Sequence, residues 1–146
     1  MRLLNSTTYE LKEFDDNRMP PFAILSHRWG VEEVTFKEVQ KSKAAPKKGY
    51  VKLQKCCAQA LRDGFKWVGI DACCIDKSSS SEVSEAINSM YRWYRRAEVC
   101  YAYLFDVPPL SPNLNKAMFK ASQWFTRGWT LQELIAPSHV TFYAVD

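Results

Sequence analysis

Four short apolar runs of strand-forming residues recur along this chain, separated by segments of helical period: Phe22–Ser26, Lys66–Asp71, Glu98–Val107 and His139–Val145. The first two stop abruptly at polar residues, His27-Arg28-Trp29-Gly30 and Asp71. Between the first pair, Tyr50, Leu53, Cys57, Ala60 and Leu61 fall at helical spacing, with Gly64 placed to end the helix. Between the second pair, Ser79 and Glu82 form a capping-box pattern ahead of an apolar stripe of Val83, Ile87, Met90, Tyr91 and Tyr94. A short helix over Leu114–Ala121 and another over Thr126–Ile135, halted before Pro137, precede the last strand. Alternating strands and helices require right-handed crossovers. The expected fold is therefore α/β, a three-layer sandwich with a mostly parallel central sheet flanked by helices. In such sheets ligands bind outside the carboxyl ends of the strands, so Ser26, His27, Arg28 and Trp29 are expected to border one crevice with Asp71 to Lys77.

The 146 residues suit one domain: a lead-in over 1–21, holding a short hairpin (Leu3-Leu4 against Tyr9 to Phe14), and an α/β core over 22–145. Lys41–Lys48 reads as a basic loop and 108–113 as a Pro-rich one. A composition of 47% hydrophobic and 25% charged residues excludes a disordered chain. The net charge of +4 falls short of a dedicated nucleic-acid binder, and no nucleic-acid partner is expected. In the aromatic-arginine block of Tyr91 to Arg96, the tyrosines join the apolar stripe while Arg92, Arg95 and Arg96 face water. No apolar run approaches the roughly 20 residues that cross a bilayer, so no membrane partner is expected. Five cysteines, an odd number with two adjacent pairs, point to reduced thiols and a cytoplasmic location.

Trp129 and Glu133 stand four residues apart and would share a helix face. A carboxylate sheltered by an indole suits a cationic aromatic ligand; the alternative is a solvent-facing Glu133 paired with Arg127. Arg28 has the planar fork to hold a phosphate, Ser26 can donate to a ligand hydroxyl, and Trp29 can wall a pocket; the alternative is an ordinary loop with one surface arginine. His27 with Cys73 or Cys74 would make a thiol enzyme if the fold brings them together, while buried cysteines that simply pack are the plainer reading. Asp71, Asp76 and Lys77 form either a ligand-binding rim or a self-satisfied turn. The cysteine pairs lack the gap that tetrahedral zinc ligands need, so no metal is expected. No glycine-rich phosphate loop occurs, which leaves Rossmann and P-loop nucleotide sites without support.

Four segments, Ala23–Gly30 (AILSHRWG), Trp67–Asp76 (WVGIDACCID), Ser84–Tyr94 (SEAINSMYRWY) and Arg127–Leu134 (RGWTLQEL), together resemble the fungal heterokaryon-incompatibility domain, from about Pro21 to Tyr143. Members of that family act in nonself recognition and trigger regulated cell death, usually as the amino-terminal module of a larger cytoplasmic protein. The resemblance implies that this chain is one such module, that its partners include other domains of the full-length protein, and that it self-associates on activation. A more distant resemblance is to Toll/interleukin-receptor domains of the plant type. There a first strand ends in Ser-aromatic-Arg-Gly, comparable with Ser26-His27-Arg28-Trp29-Gly30. A later strand ends in Ile-Asp, as at Ile70-Asp71, and a Trp-led helix runs into Leu-acidic-Glu-Leu, comparable with Trp129 to Leu134. In enzymatic members that glutamate cleaves the nicotinamide–ribose bond of NAD, and it falls here on Glu133. The resemblance thus implies an NAD nucleosidase with NAD as substrate and no cofactor. Ser26, His27, Arg28, Trp29, Asp71, Trp124 and Trp129 would then bind the nucleotide. Many such domains are noncatalytic adaptors, which is the alternative it equally implies.

Overall fold

The computed structural model describes residues 1–41, 47–109 and 115–145; most of the two loops expected at 41–48 and 108–113, and Leu114, lie outside them. The chain opens with a hairpin, Arg2–Asn5 (β1) against Leu11–Glu13 (β2). The Asn5 carboxamide oxygen stabilises its turn by accepting from the Thr7 and Thr8 N–H groups at 2.9 and 3.1 Å. The strands Phe22–His27 (β3), Trp67–Gly69 (β4), Val99–Leu104 (β5) and Val140–Ala144 (β6) complete a six-stranded sheet of order β2-β1-β4-β3-β5-β6. The four core strands run parallel, as the alternation requires, and β1 is antiparallel to β4. The lead-in is thus built into the sheet, with Leu3 and Leu4 fully buried, because its two leucines fill both faces beside β4.

Helices cover both faces. Lys48–Arg62 (α2), preceded by the short Phe36–Gln40 (α1), packs Leu53, Cys56, Cys57 and Ala60 against Leu25, Val68 and Tyr101. It ends at Asp63 and Gly64, whose φ of +86° is the left-handed conformation that glycine adopts without strain. After the single turn Asp71–Cys74 (α3), Ser80–Arg96 (α4) packs Ala86, Trp93 and Tyr94 on the opposite face, against Phe22, Ile24 and Cys100. The phase of α4 differs from the expected stripe: Ile87 and Tyr91 are 47% and 46% exposed, while Ser89 and Trp93 are buried. Ala86 and Ala97, both small, bring the helix close to β3 and β5 on that side, and the phase follows this approach rather than the largest apolar residues. Its arginines dock on the lead-in rather than facing only water: Arg92 Nη2 donates to Asp16 Oδ2 at 2.8 Å, and Arg96 bonds the Asp16 carbonyl. The capping box forms by half, since Ser79 Oγ accepts from the Glu82 N–H while the Glu82 carboxylate pairs with Arg2 and accepts from the Asp76 N–H.

Asn115–Ala121 (α5) leads into a 3-10 turn, Gln123–Thr126. The expected helix over Thr126–Ile135 is shorter: Arg127 is extended, with ψ 139°, and only Thr130–Ile135 (α6) is α-helical. Gly49 is another tight point, since a Cβ there would meet the Glu32 carbonyl oxygen at 2.4 Å and the Glu33 Cα at 3.1 Å, both backbone atoms. Gly49→Ala is therefore expected to cost about 1–3 kcal/mol by forcing α2 off the Glu32–Val34 segment, measured as a lower urea midpoint.

Candidate functional site

The two-residue period of β3 divides the candidate residues between the faces of the sheet. Phe22 and Ile24 belong to the α4 side and Ala23 and Leu25 to the α2 side, so Ser26 and His27 point opposite ways. They form two separate clusters rather than the single crevice expected from the sequence.

The first cluster surrounds Glu133, which is 5% exposed. Extended backbone at Arg127 lets its guanidinium reach back over the start of α6 and grip the carboxylate with both prongs, Nη1 to Oε2 and Nη2 to Oε1, each at 2.9 Å. Ser26 Oγ donates to the same Oε2 at 2.5 Å and accepts from Trp124 Nε1 at 2.8 Å. Thr130 Oγ1, donating to the Trp124 carbonyl at 2.6 Å, ties the 3-10 turn to α6. The indole joined to this carboxylate through Ser26 is thus Trp124, fully buried, and not Trp129. Trp129 precedes α6 and is 49% exposed, and its backbone carbonyl accepts from the Glu133 N–H at 3.3 Å. The carboxylate is sheltered and also paired with Arg127, so it combines parts of both readings of the sequence.

The second cluster lies at the carboxyl ends of β3 and β4. His27 is buried, its Nε2 facing Glu33 Oε2 at 3.6 Å and Asp71 Oδ1 at 3.9 Å, beyond hydrogen-bond length; both ring nitrogens and Asp71 Oδ1 lack a hydrogen bond among the described residues. Asp71 Oδ2 accepts from Trp29 Nε1 at 3.0 Å, and Lys77 Nζ stands 4.0 Å above the Trp29 ring. Asp76 turns away and accepts from Ser78. Burial lowers the Lys77 ammonium from its usual value, with Asp71 opposing. Arg28, exposed, sits 5.7 Å over the Phe105 ring at the end of β5. There, between β3 and β5, the strand order reverses.

Glu33 and Lys52 were not legible as site residues. They meet across a turn and the first turns of α2, nineteen positions apart, where no periodic spacing signals contact. Burial alone would raise the Glu33 carboxyl; His27, the Lys52 ammonium and the Gly30 N–H outweigh it and bring it to about 2. A carboxyl depressed on folding stabilises the fold above its unfolded value and loses that contribution as pH falls toward the folded one. Acid titration from pH 4.5 to 2 is therefore expected to weaken the protein, and Glu33→Gln to flatten that slope, by an order of 1–2 kcal/mol after solvent screening.

All five cysteines are free and buried. Burial raises the Cys57 thiol to about 12 and lifts those of Cys56 and Cys100, while Cys74 and burial raise that of Cys73. Such thiols are poor nucleophiles at neutral pH, and Cys73 Sγ is directed at the Ile70 carbonyl, at 3.7 Å, so the thiol-enzyme alternative gains no support. Among the described residues no helix is long and apolar enough to cross a membrane.

The expected resemblance is met by the comparisons. No solved structure matches the chain, so the likeness to Toll/interleukin-receptor domains rests on motif order alone. Vegetative incompatibility protein HET-E-1 of Podospora anserina is 50% identical over 140 residues, covering 91% of this chain. The chain spans only 10% of that protein's length. The profile described as heterokaryon incompatibility protein (HET) matches residues 22–111, from β3 through β5, and stops short of Trp124, Arg127 and Glu133. With most of its length matched by that profile and half its residues shared with such a relative, the chain belongs to the heterokaryon incompatibility (HET) family.

Proposed function

We propose that this chain is the signalling module of a larger fungal nonself-recognition protein, and that it promotes cell death by hydrolysing NAD at Glu133. Family membership supports the first part. The second is carried by one observation, a buried carboxylate oriented by Ser26 and Arg127 beside a parallel sheet. Cleavage breaks the ribose C1′–nitrogen bond; its electron pair leaves with the pyridinium, which departs as neutral nicotinamide. Water adds to C1′ and gives up a proton, producing ADP-ribose. A carboxylate in a dry site stabilises the oxocarbenium-like ribose and receives that proton. Both Glu133 oxygens are engaged in the conformation described here, so turnover requires Arg127 to exchange the carboxylate for substrate.

A second reading, signalling by assembly without chemistry, is favoured by α6 itself, where Leu131 and Ile135 are 67% and 60% exposed beside Trp129. The two separate in one experiment. Purified protein, concentrated until it oligomerises, is incubated with NAD and nicotinamide release is followed by chromatography, with Glu133→Gln alongside. The catalytic reading expects release from the native chain and its loss in Glu133→Gln at unchanged oligomer size. Oligomers that release no nicotinamide would favour the assembly reading, and a Glu133→Gln variant with native turnover would overturn the assignment of the chemistry to Glu133.

A further inference from the structure

The two edges of the sheet differ in chemistry. β2 forms one of them, a short strand that carries Lys12 and Glu13, both exposed, directly after the exposed Glu10. Charges on a short edge strand discourage further pairing. β6 forms the other edge. From His139 to Val145 it has no Asp, Glu, Lys, Arg or proline, and its Val, Thr, Phe and Tyr favour extended backbone. None of Val140–Ala144 is buried, whereas β3 is buried throughout. The register on β5 shows which of its backbone groups point outward. Cys100 pairs with Val140 and donates its N–H to the His139 carbonyl at 2.9 Å, so His139, Thr141 and Tyr143 turn their N–H and C=O groups toward β5. Val140, Phe142 and Ala144 turn theirs away, and among the described residues no backbone hydrogen bond reaches them. The side chains of these three share the face held by Trp124, Phe119 and Phe125, with Phe119 and Phe142 edge to face at 5.0 Å. Tyr143 joins the α2-side core, and Thr141 is exposed.

We infer that two copies of this chain pair antiparallel through β6, about a twofold axis at Phe142, so that one sheet runs through both. In that register Phe142 faces Phe142 of the second copy as a hydrogen-bonded pair, and Val140 faces Ala144 in both directions. Every outward N–H and carbonyl of these residues then has a partner. Moving the axis to Thr141 sets Ala144 against Ser138, outside the strand, and loses part of that match. The period of two also keeps like faces together. The aromatic layer of Phe119, Phe125 and Phe142 continues across the axis, and Thr141 meets Tyr143 as an aromatic and β-branched pair. With no charged side chain in the strand, none is opposed by its own copy. The strand is thus complementary to itself, which selects a second copy as occupant, and the charged β2 edge closes the assembly at a dimer. This pairing rests on neither reading of the function, since it uses neither Glu133 nor α6.

Sedimentation equilibrium of the chain over a micromolar to millimolar series tests it, with a shift from monomer to dimer mass expected. Thr141→Lys places a charge on an exposed side chain at the edge, and Ala144→Pro removes an outward N–H without touching the β5 ladder. Each is expected to raise the dimer dissociation constant about tenfold or more with far-UV circular dichroism unchanged. Leu131→Lys, on the exposed side of α6, is expected to leave it unaltered. Oxidation reads the register. Thr141→Cys mixed with Tyr143→Cys is expected to give a cross-linked heterodimer, since these positions face each other as a non-hydrogen-bonded pair, while Thr141→Cys alone does not cross-link. A chain that stays monomeric at every concentration would overturn the proposal and leave the edge to a different segment or protein. Dimers that survive both β6 substitutions, dissociate in Leu131→Lys, or cross-link as readily through Thr141→Cys alone would overturn it as well.

Discussion

Replacing Arg127 by alanine is expected to lower the stability of the fold by about 3 kcal/mol and its melting temperature by roughly 10 °C. The loss comes less from the missing attraction than from what remains: a carboxylate 5% exposed, stripped of two of its three hydrogen bonds. Breaking one side of a buried pair leaves a charge that neither water nor protein compensates, whereas removing both sides is nearly neutral. Arg127→Ala combined with Glu133→Gln is therefore expected to be more stable than Arg127→Ala alone, since the carboxamide oxygen still accepts from Ser26. Urea titration of the single and double variants measures this. A double variant that merely adds the two losses would mean that the pair contributes independently and that Glu133 is already well solvated.

Trp124→Ala carries an effect as large from a different cause. The indole is fully buried and packs with Ala102, Leu104 and Val107, its ring 4.9 Å from Phe125 and 5.5 Å from Phe142, both edge to face. Truncation opens a cavity beneath the 3-10 turn and removes the donor to Ser26, at an expected cost of about 4–5 kcal/mol. Trp124→Phe keeps most of the ring and loses only the hydrogen bond, about 1–2 kcal/mol. A wide gap between the two variants in denaturant midpoint identifies packing as the larger contribution. Near-equal losses would shift the emphasis to the Trp124–Ser26–Glu133 chain.

How far the sequence spoke depended on the range of the interaction. The parallel strands were readable because runs such as Phe22–Ser26 must be buried on both faces, and Gly64 ended α2 as its position implied. Phase was harder. Ile87 and Tyr91 look like core on a helical wheel, but the side of α4 bearing Ala86, Trp93 and Ala97 comes closer to the sheet, and only tertiary packing selects it. Glu133 was singled out by its spacing from Trp129, an argument that presumes unbroken helix. Because Arg127 is extended, the neighbours that matter are six residues upstream and, through β3, more than a hundred residues away. The His27–Glu33–Lys52 contacts join a strand end, a turn and a helix, and no local periodicity encodes them.

The burial of every cysteine has a practical outcome. Cys57, Cys73 and Cys100 have no exposed surface, so a dissolved oxidant or alkylating reagent reaches these three only after strands and helices part. Consumption of thiol in the native protein then counts molecules that have come open, and its rate is a clock for that opening. The protein carries three built-in reporters of its own integrity, readable without dye or tag.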